Sequence, residues 1–400
     1  MSAQQNLSRN IVVTPASCIP IEQQAVEMCE HKGIGHPDTV TDGVCEAASR
    51  ALSLAYLKAY GRILHHNLDK GLLAAGRSTP RFGGGSIEEK ARLIICGRAT
   101  RPEPAFDIQE IVKKAARDHL EEQLQDATAT IEIDTHIREG SANLVQVFAR
   151  STGIPLSNDT SFGTGFAPYS PLEKNVLGLA ELMRSKAFRP RFPCAGADFK
   201  VMGVRVGKEA VFTVALAFVD RHVASVADYQ QHKARICEYL KHGIGPSARL
   251  QLNTLDNPAA TDESGLYLTV SGLSCEMGDD GQVGRGNRAG GLITPARPMS
   301  LEAVAGKNPV SHVGKLYNVL AMLMARDIYE RLEEAEGVTV QILSAIGAPV
   351  DRPQVASIEI RAAHGLSEPL RQAVAKIADE WLENMPKVTA LILDQAVSLY

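Results

Sequence analysis

Strand-like apolar runs and amphipathic helices alternate along this chain, and paired strands followed by a helix recur about three times. A periodicity that switches between two and 3.6 residues predicts an α/β (α+β) protein made of three similar sheet-plus-helix units. Helices are expected over 37–60, 106–126, 222–242, 309–337 and 366–384. The first is the best marked, with Pro37 suited to the first turn, Asp38 and Asp42 near the start and Gly61 as terminator. Strands are expected over 92–97, 128–137, 144–150, 201–205, 210–220, 267–271, 338–343 and 355–361, with Gly207-Lys208 turning a hairpin. The units are read as intertwined parts of one compact structure, roughly 1–135, 136–275 and 276–400, with boundaries free to be discontinuous.

Charge and cysteine usage narrow the function classes. A net charge of −4 offers no global basic field for nucleic acid. Apolar runs such as Val211–Val219 are too short to cross a bilayer, so neither nucleic acid nor membrane is an expected partner. The opening MSAQQNLSRN carries no apolar stretch of the kind a secretory signal needs. Seven cysteines are scattered without a C-x-x-C pair, which argues against a disulfide framework and a zinc ribbon and fits reduced thiols in the cytoplasm. Cys29, His31, His36 and Cys45 cluster, but at spacings that match no structural zinc site.

Three charged, glycine-rich loops carry the chemistry. In the first, Gly33 to Gly43, a helix starting at Pro37 places Asp38 and Asp42 on one face, and Glu46 extends that face. Carboxylates and the His36 imidazole at a helix N-terminus can hold Mg²⁺ and contact phosphate oxygens; simple capping by Asp38 is the plainer reading. In the second, 278–288, glycines let backbone amides approach an anion, Arg285 and Arg288 supply positive charge, and Asp279 and Asp280 could hold a divalent ion. A flexible charged turn is the alternative. The third, 306–315, resembles half of a P-loop, but the upstream glycine is missing and Asn308 stands where a Mg²⁺-binding Ser or Thr would be. Lys307 can still meet a phosphate chain as a point charge. Near Asp159, Phe162 can stack on a base or join the core. Gly83-Gly84-Gly85 reads as a mobile loop or lid. A polyphosphate-bearing nucleotide is the ligand class these loops suit.

In order, GHPDTVTDG, LHHNLDK (64–70), FGGG (82–85), NDTSFGTGFAP (158–168), FKVMG (199–203) and the long block 278–318 resemble the archaeal-type S-adenosylmethionine synthetase, or methionine adenosyltransferase, family. The resemblance covers about residues 25 to 360. It implies pseudo-threefold symmetry of three α/β units and a homodimer with active sites at the interface. It implies ATP and L-methionine as substrates, with methionine sulfur attacking ribose C5′ and the departing tripolyphosphate then hydrolysed to pyrophosphate and phosphate. Mg²⁺ and K⁺ are the implied cofactors.

Carried over residue by residue, the resemblance makes His36, Lys200, Arg285 and Lys307 the catalytic set around the triphosphate. Asp38, with Asp42 beside it, becomes the Mg²⁺ site, and Asp279 lies near adenosine and methionine. Gly140, Ser141, Ala142, Asn143, Asp159, Phe162, Asp280, Arg288 and His312 complete the expected substrate contacts. Several positions depart from the pattern. Gly286 stands where the wider superfamily carries a lysine, leaving Arg288 as the candidate substitute. Asn143 replaces the acid of G-S-V-D-L and offers no charge to an ammonium group. Gln146 stands where an acid is frequent, and Arg77 where the bacterial branch carries a methionine-binding glutamate. A polyphosphate or nucleotide hydrolase is the second reading, and a non-catalytic partner subunit the third.

Overall fold

A computed structural model describes residues 9–103, 106–140, 153–245 and 248–400. Three mixed sheets each bury one face under helices and hold a separate apolar cluster. In the first, His66–Ala74 pairs antiparallel with Ala91–Ala99, which pairs parallel with Ile131–Glu139; the two-residue strand Gly281–Gln282 joins the other edge. Its inner face packs beneath α1, Pro37–Tyr60, and the helix Ile108–Leu124. The second sheet runs Arg249–Leu252, Glu209–Val219, Ala195–Val206, Val26–Lys32, under helices Pro171–Arg184 and Val226–Lys241. The third runs Ile11–Pro15, Val355–Ala362, Ala335–Leu343, Phe162–Ala167, under Val313–Arg331, Glu368–Glu383 and Met385–Leu393. Strands from the first 32 residues thus complete the second and third sheets.

The outer faces of the sheets are open. Val12, Val26, Met28, Leu72, Phe162 and Val206 sit there between 40% and 59% exposed, while their strand neighbours Val13, Cys29 and Leu73 face the cores.

Helix ends follow local chemistry. α1 spans the expected 37–60, capped by the His36 ring and ended by Gly61 at φ +67°. The 309–337 expectation is too long at both ends: the helix is Val313–Arg331. Asn308 Oδ1 accepts the Val310 and Ser311 amides and holds 308–311 as a turn, and the chain past Arg331 turns into a strand, where Gly337 sits at a bulge. The expected 128–137 strand begins at Ile131, after a 3₁₀ turn over Gln125–Thr130. The 267–271 strand shrinks to Leu268–Thr269, and the 144–150 strand lies outside the described residues. Within NDTSFGTGFAP, Phe162–Ala167 is an edge strand, because Gly163 and Gly165 let the backbones of Tyr317 and Ala321 lie directly on it. The Gly83–Gly85 tip joins a small hairpin, Arg77–Thr79 with Ser86–Glu89; the Gly85 amide donates to Asp220 Oδ2 at 2.7 Å.

Candidate active site

One face of α1 organises the loops. Asp38, Asp42, Glu46 and Ser49 follow at near-helical spacing, all of them buried. Asp38 Oδ1 accepts the Gln282 amide at 2.9 Å and Asp42 Oδ1 the Gly284 amide at 2.8 Å. Glu46 Oε2 accepts the Gly306 amide at 2.9 Å, and Ser49 Oγ donates to the Lys307 carbonyl at 3.0 Å. The first loop is fixed from behind, since Gly33 and Gly35 amides donate to the Phe199 and Ala197 carbonyls beside Lys200. All three loops therefore meet at the N-terminal half of one helix, where its dipole favours anions.

His36 Nδ1 accepts the Asp38 amide at 3.2 Å, which places the ring proton on Nε2. Burial, reinforced by Lys32 and opposed by Asp38, pulls the imidazole pKa down to about 4, so near neutral pH the ring is an uncharged donor. Lys32 Nζ stands 2.8 Å from Asp38 Oδ2 and 2.8 Å from the Arg285 carbonyl. Its backbone exchanges two hydrogen bonds with the Asn287 side chain, tying the second loop to the Val26–Lys32 strand.

Asp42 Oδ2 is buried and finds no hydrogen-bond partner. Burial pushes this carboxyl up to about 7, against the Gly284 amide and Arg288. A buried oxygen of this kind needs a proton or a cation.

Lys307, 4% exposed, is gripped by two carboxylates, Asp69 and Glu302, each at 2.6 Å. Burial alone would raise the Asp69 pKa, yet the Lys307 and Lys70 ammonium groups carry it down to about 2. Beside this group opens a cleft of about 910 Å³ on the open sheet face, walled by Lys70, Leu72, Ile94, Phe162 and Glu302. Phe162, 50% exposed, belongs to this wall and not to the core. His312 caps the following helix through the Gly314 amide and stands 3.9 Å from Asp159.

Other expected residues are engaged elsewhere. Arg288 donates to the carbonyls of Gly284 (2.6 Å) and Gly286 (2.9 Å), so it braces its own loop, whereas Arg285 is exposed. Asp280 accepts the Ala75 amide at 2.8 Å, and Asp279 accepts Ser274 Oγ at 3.1 Å. Behind Ser274 lies wholly buried Asp198, pushed up to about 7 by burial. Among the described residues no three His, Cys, Asp or Glu side chains gather as a protein-only metal site. Gly140 ends the Ile131–Glu139 strand, and Ser141, Ala142 and Asn143 lie outside the described residues.

Lys32, Asp69, Glu302 and Lys315 were not expected at the site. Lys32 ends the Val26–Lys32 strand, and Asp69 lies at the break in pairing between Asn67 and Lys70, where an irregularity that the sequence does not mark turns it to the site. Glu302 and Lys315 are reached only through tertiary packing.

The model of the family S-adenosylmethionine synthetase (AdoMet synthetase) matches residues 9–396. The S-adenosylmethionine synthase of Pyrococcus furiosus is 46% identical, over 98% of this chain and 100% of that protein. That of Methanothermobacter marburgensis is 43% identical, over 96% and 98%. Among solved structures, an unusual S-adenosylmethionine synthetase from Campylobacter jejuni superposes with a TM-score of 0.62 over 93% of each chain; at 14% identity this is a likeness of fold.

Proposed function

The chain belongs to the S-adenosylmethionine synthetase family, and from that premise we propose how its residues divide the work of a methionine adenosyltransferase. ATP and L-methionine react to give S-adenosylmethionine, and tripolyphosphate is cleaved to phosphate and pyrophosphate. A thioether has no proton to lose, so the attack on C5′ needs no base. The barrier lies in stabilising the departing triphosphate, and in positioning.

The observation that carries the reading is the meeting of three loops on one face of α1. From there His36 Nε2–H is placed to donate to the oxygen leaving C5′. Lys200, Arg285 and Lys307 stabilise the growing charge on the chain of phosphates. Asp38 and Asp42 are the residues that would hold Mg²⁺, and the unpartnered Asp42 Oδ2 fits a cation. Bound there, Mg²⁺ would neutralise phosphate charge, with the remaining coordination left to phosphate oxygens and water. K⁺ is proposed as a second, activating cation. Phe162 and Asp159 are assigned to the nucleoside, and Asp279, which accepts Ser274 Oγ, to the adenosine and methionine. The open apolar sheet faces support a homodimer with the cleft at its interface, and seven free cysteines suit a reducing cytoplasm.

Product analysis decides it. ATP, Mg²⁺ and methionine should give a sulfonium product with phosphate and pyrophosphate in equal amounts. Phosphate release with no methionine-dependent sulfonium would instead make the chain a polyphosphate or nucleotide hydrolase.

A further inference from the structure

Glu46 and Lys315 have no role in the assignments above, yet they form an ion pair deep in the protein. Lys315 is 0% exposed and its Nζ donates to both Glu46 oxygens, at 2.8 and 2.6 Å. A pair with its lysine fully buried and its carboxylate nearly so gains little over apolar side chains of equal volume, so stability alone is a weak account of it. Its other contact is more informative. Glu46 Oε2 also receives the Gly306 amide, and one turn along α1 Ser49 Oγ donates to the carbonyl of Lys307. From the opposite side the Leu68 amide donates to the Gly306 carbonyl at 2.8 Å, and Asn67 bridges to Lys307. Gly306 sits at φ +79°, where a Cβ would strike the Leu68 carbonyl. The peptide groups on both sides of the Lys307 root are therefore held, while the rotatable bonds of its stem are what would carry Nζ from one partner to another.

We propose that Glu46, locked by Lys315 and assisted by Ser49, is a positioning device that fixes the Gly306–Lys307 backbone so that Lys307 reaches the departing triphosphate. This rests on Lys307 being a triphosphate contact. Without ATP, Asp69 and Glu302 hold the ammonium; with ATP, only a fixed root lets it move to the phosphates without losing register. Glu46 and Ser49 touch no substrate and act through Lys307.

The test uses the full-length enzyme with ATP, Mg²⁺ and methionine, read as single-turnover rate and as KM for methionine. Ser49→Ala should slow turnover about 3- to 10-fold with that KM unmoved. In a Lys307→Ala background the same change should cost nothing more, a non-additivity that a merely structural role would not produce. Two paired replacements remove the buried charges. Glu46→Gln with Lys315→Met keeps an acceptor for the Gly306 amide, whereas Glu46→Leu with Lys315→Met does not. The second pair should turn over at least 10-fold more slowly than the first. Equal rates in the two pairs, or full multiplication of Ser49→Ala with a damaging Lys307→Ala, overturn the clamp alone. Turnover untouched by Lys307→Ala overturns the reading of Lys307 and the clamp with it. If the leucine pair does not fold, the Ser49 and Lys307 cycle still decides.

Discussion

The Asp42 carboxylate occupies the space that a side chain at position 286 would need: a Cβ on Gly286 would lie 2.5 Å from Asp42 Oδ2. A side chain at 286 is therefore accommodated only if the Asp42 carboxylate turns aside. Gly286→Ala should turn Asp42 away from its cation position. Overpacking of this kind costs about 1–3 kcal/mol of stability, and a misplaced ligand about 10- to 100-fold in turnover. The check is turnover against Mg²⁺ concentration, where the variant should need more Mg²⁺. An unchanged Mg²⁺ curve removes Asp42 from the metal site.

Asp42 also predicts a pH effect that depends on metal. With its carboxyl raised to about 7 by burial, protons and Mg²⁺ should compete for it near neutrality under the proposed metal role. The acid limb of the rate profile should lie near pH 7 at low Mg²⁺ and move to lower pH as Mg²⁺ is raised. His36, neutral above about pH 4, should not limit activity in that range. A limb that ignores Mg²⁺ would assign the titration to another group.

The mixed α/β character and α1 with both its ends were legible because period, proline and glycine signals are local, whereas the meeting of the loops on one face of α1 rests on long-range contacts that no local signal carries. The roles of individual loop residues were less so. Arg288 and Arg285 look alike in sequence, but only backbone carbonyls within reach decide that Arg288 braces the loop. Asp280 gives one carboxylate oxygen to the Ala75 amide, a tertiary contact that its loop composition does not announce. Asn308 reads as a departure from a P-loop, but its turn-capping role, which shortens the expected helix, is seen only in its contacts with the Val310 and Ser311 amides. Lys315 closes the 306–315 loop in sequence, but only the Glu46 stripe on α1 shows that it is buried and paired.

His66 links this network to acid stability. The ring is wholly buried between Ser49, Ser53 and Asn308, and burial lowers its pKa to about 3. Between about pH 3 and its unfolded value near 6.5, the unfolded chain binds a proton that the fold refuses. Stability therefore rises with pH across that window, by about 1.4 kcal/mol per pH unit for one proton. His66→Gln keeps hydrogen-bonding capacity without titrating. Denaturant unfolding at pH 4.5 and 6.0 should show a smaller pH dependence in the variant. Parallel slopes would mean that His66 is protonated in the fold.

The open sheet faces make the last prediction. Val26 and Met28 are 42% and 41% exposed on the outer side of their strand, while Cys29 is buried on the inner side. Apolar residues that alternate to the outside of all three sheets have no packing reason in a lone subunit, and they suit a face that a second copy covers. A glutamate placed there stays solvated in a monomer but would be buried without a partner in a dimer. Leaving one charge buried and unpaired costs about 3–5 kcal/mol, which weakens self-association by about 100-fold or more. Sedimentation should find the parent dimeric and Val26→Glu shifted toward monomer at micromolar concentration. Because Leu72 and Phe162, exposed on the open faces of the other two sheets, also line the cleft, activity should fall with the dimer and recover as protein concentration is raised. A variant that stays dimeric, or a monomer that turns over at the parent rate, would separate the active site from this surface.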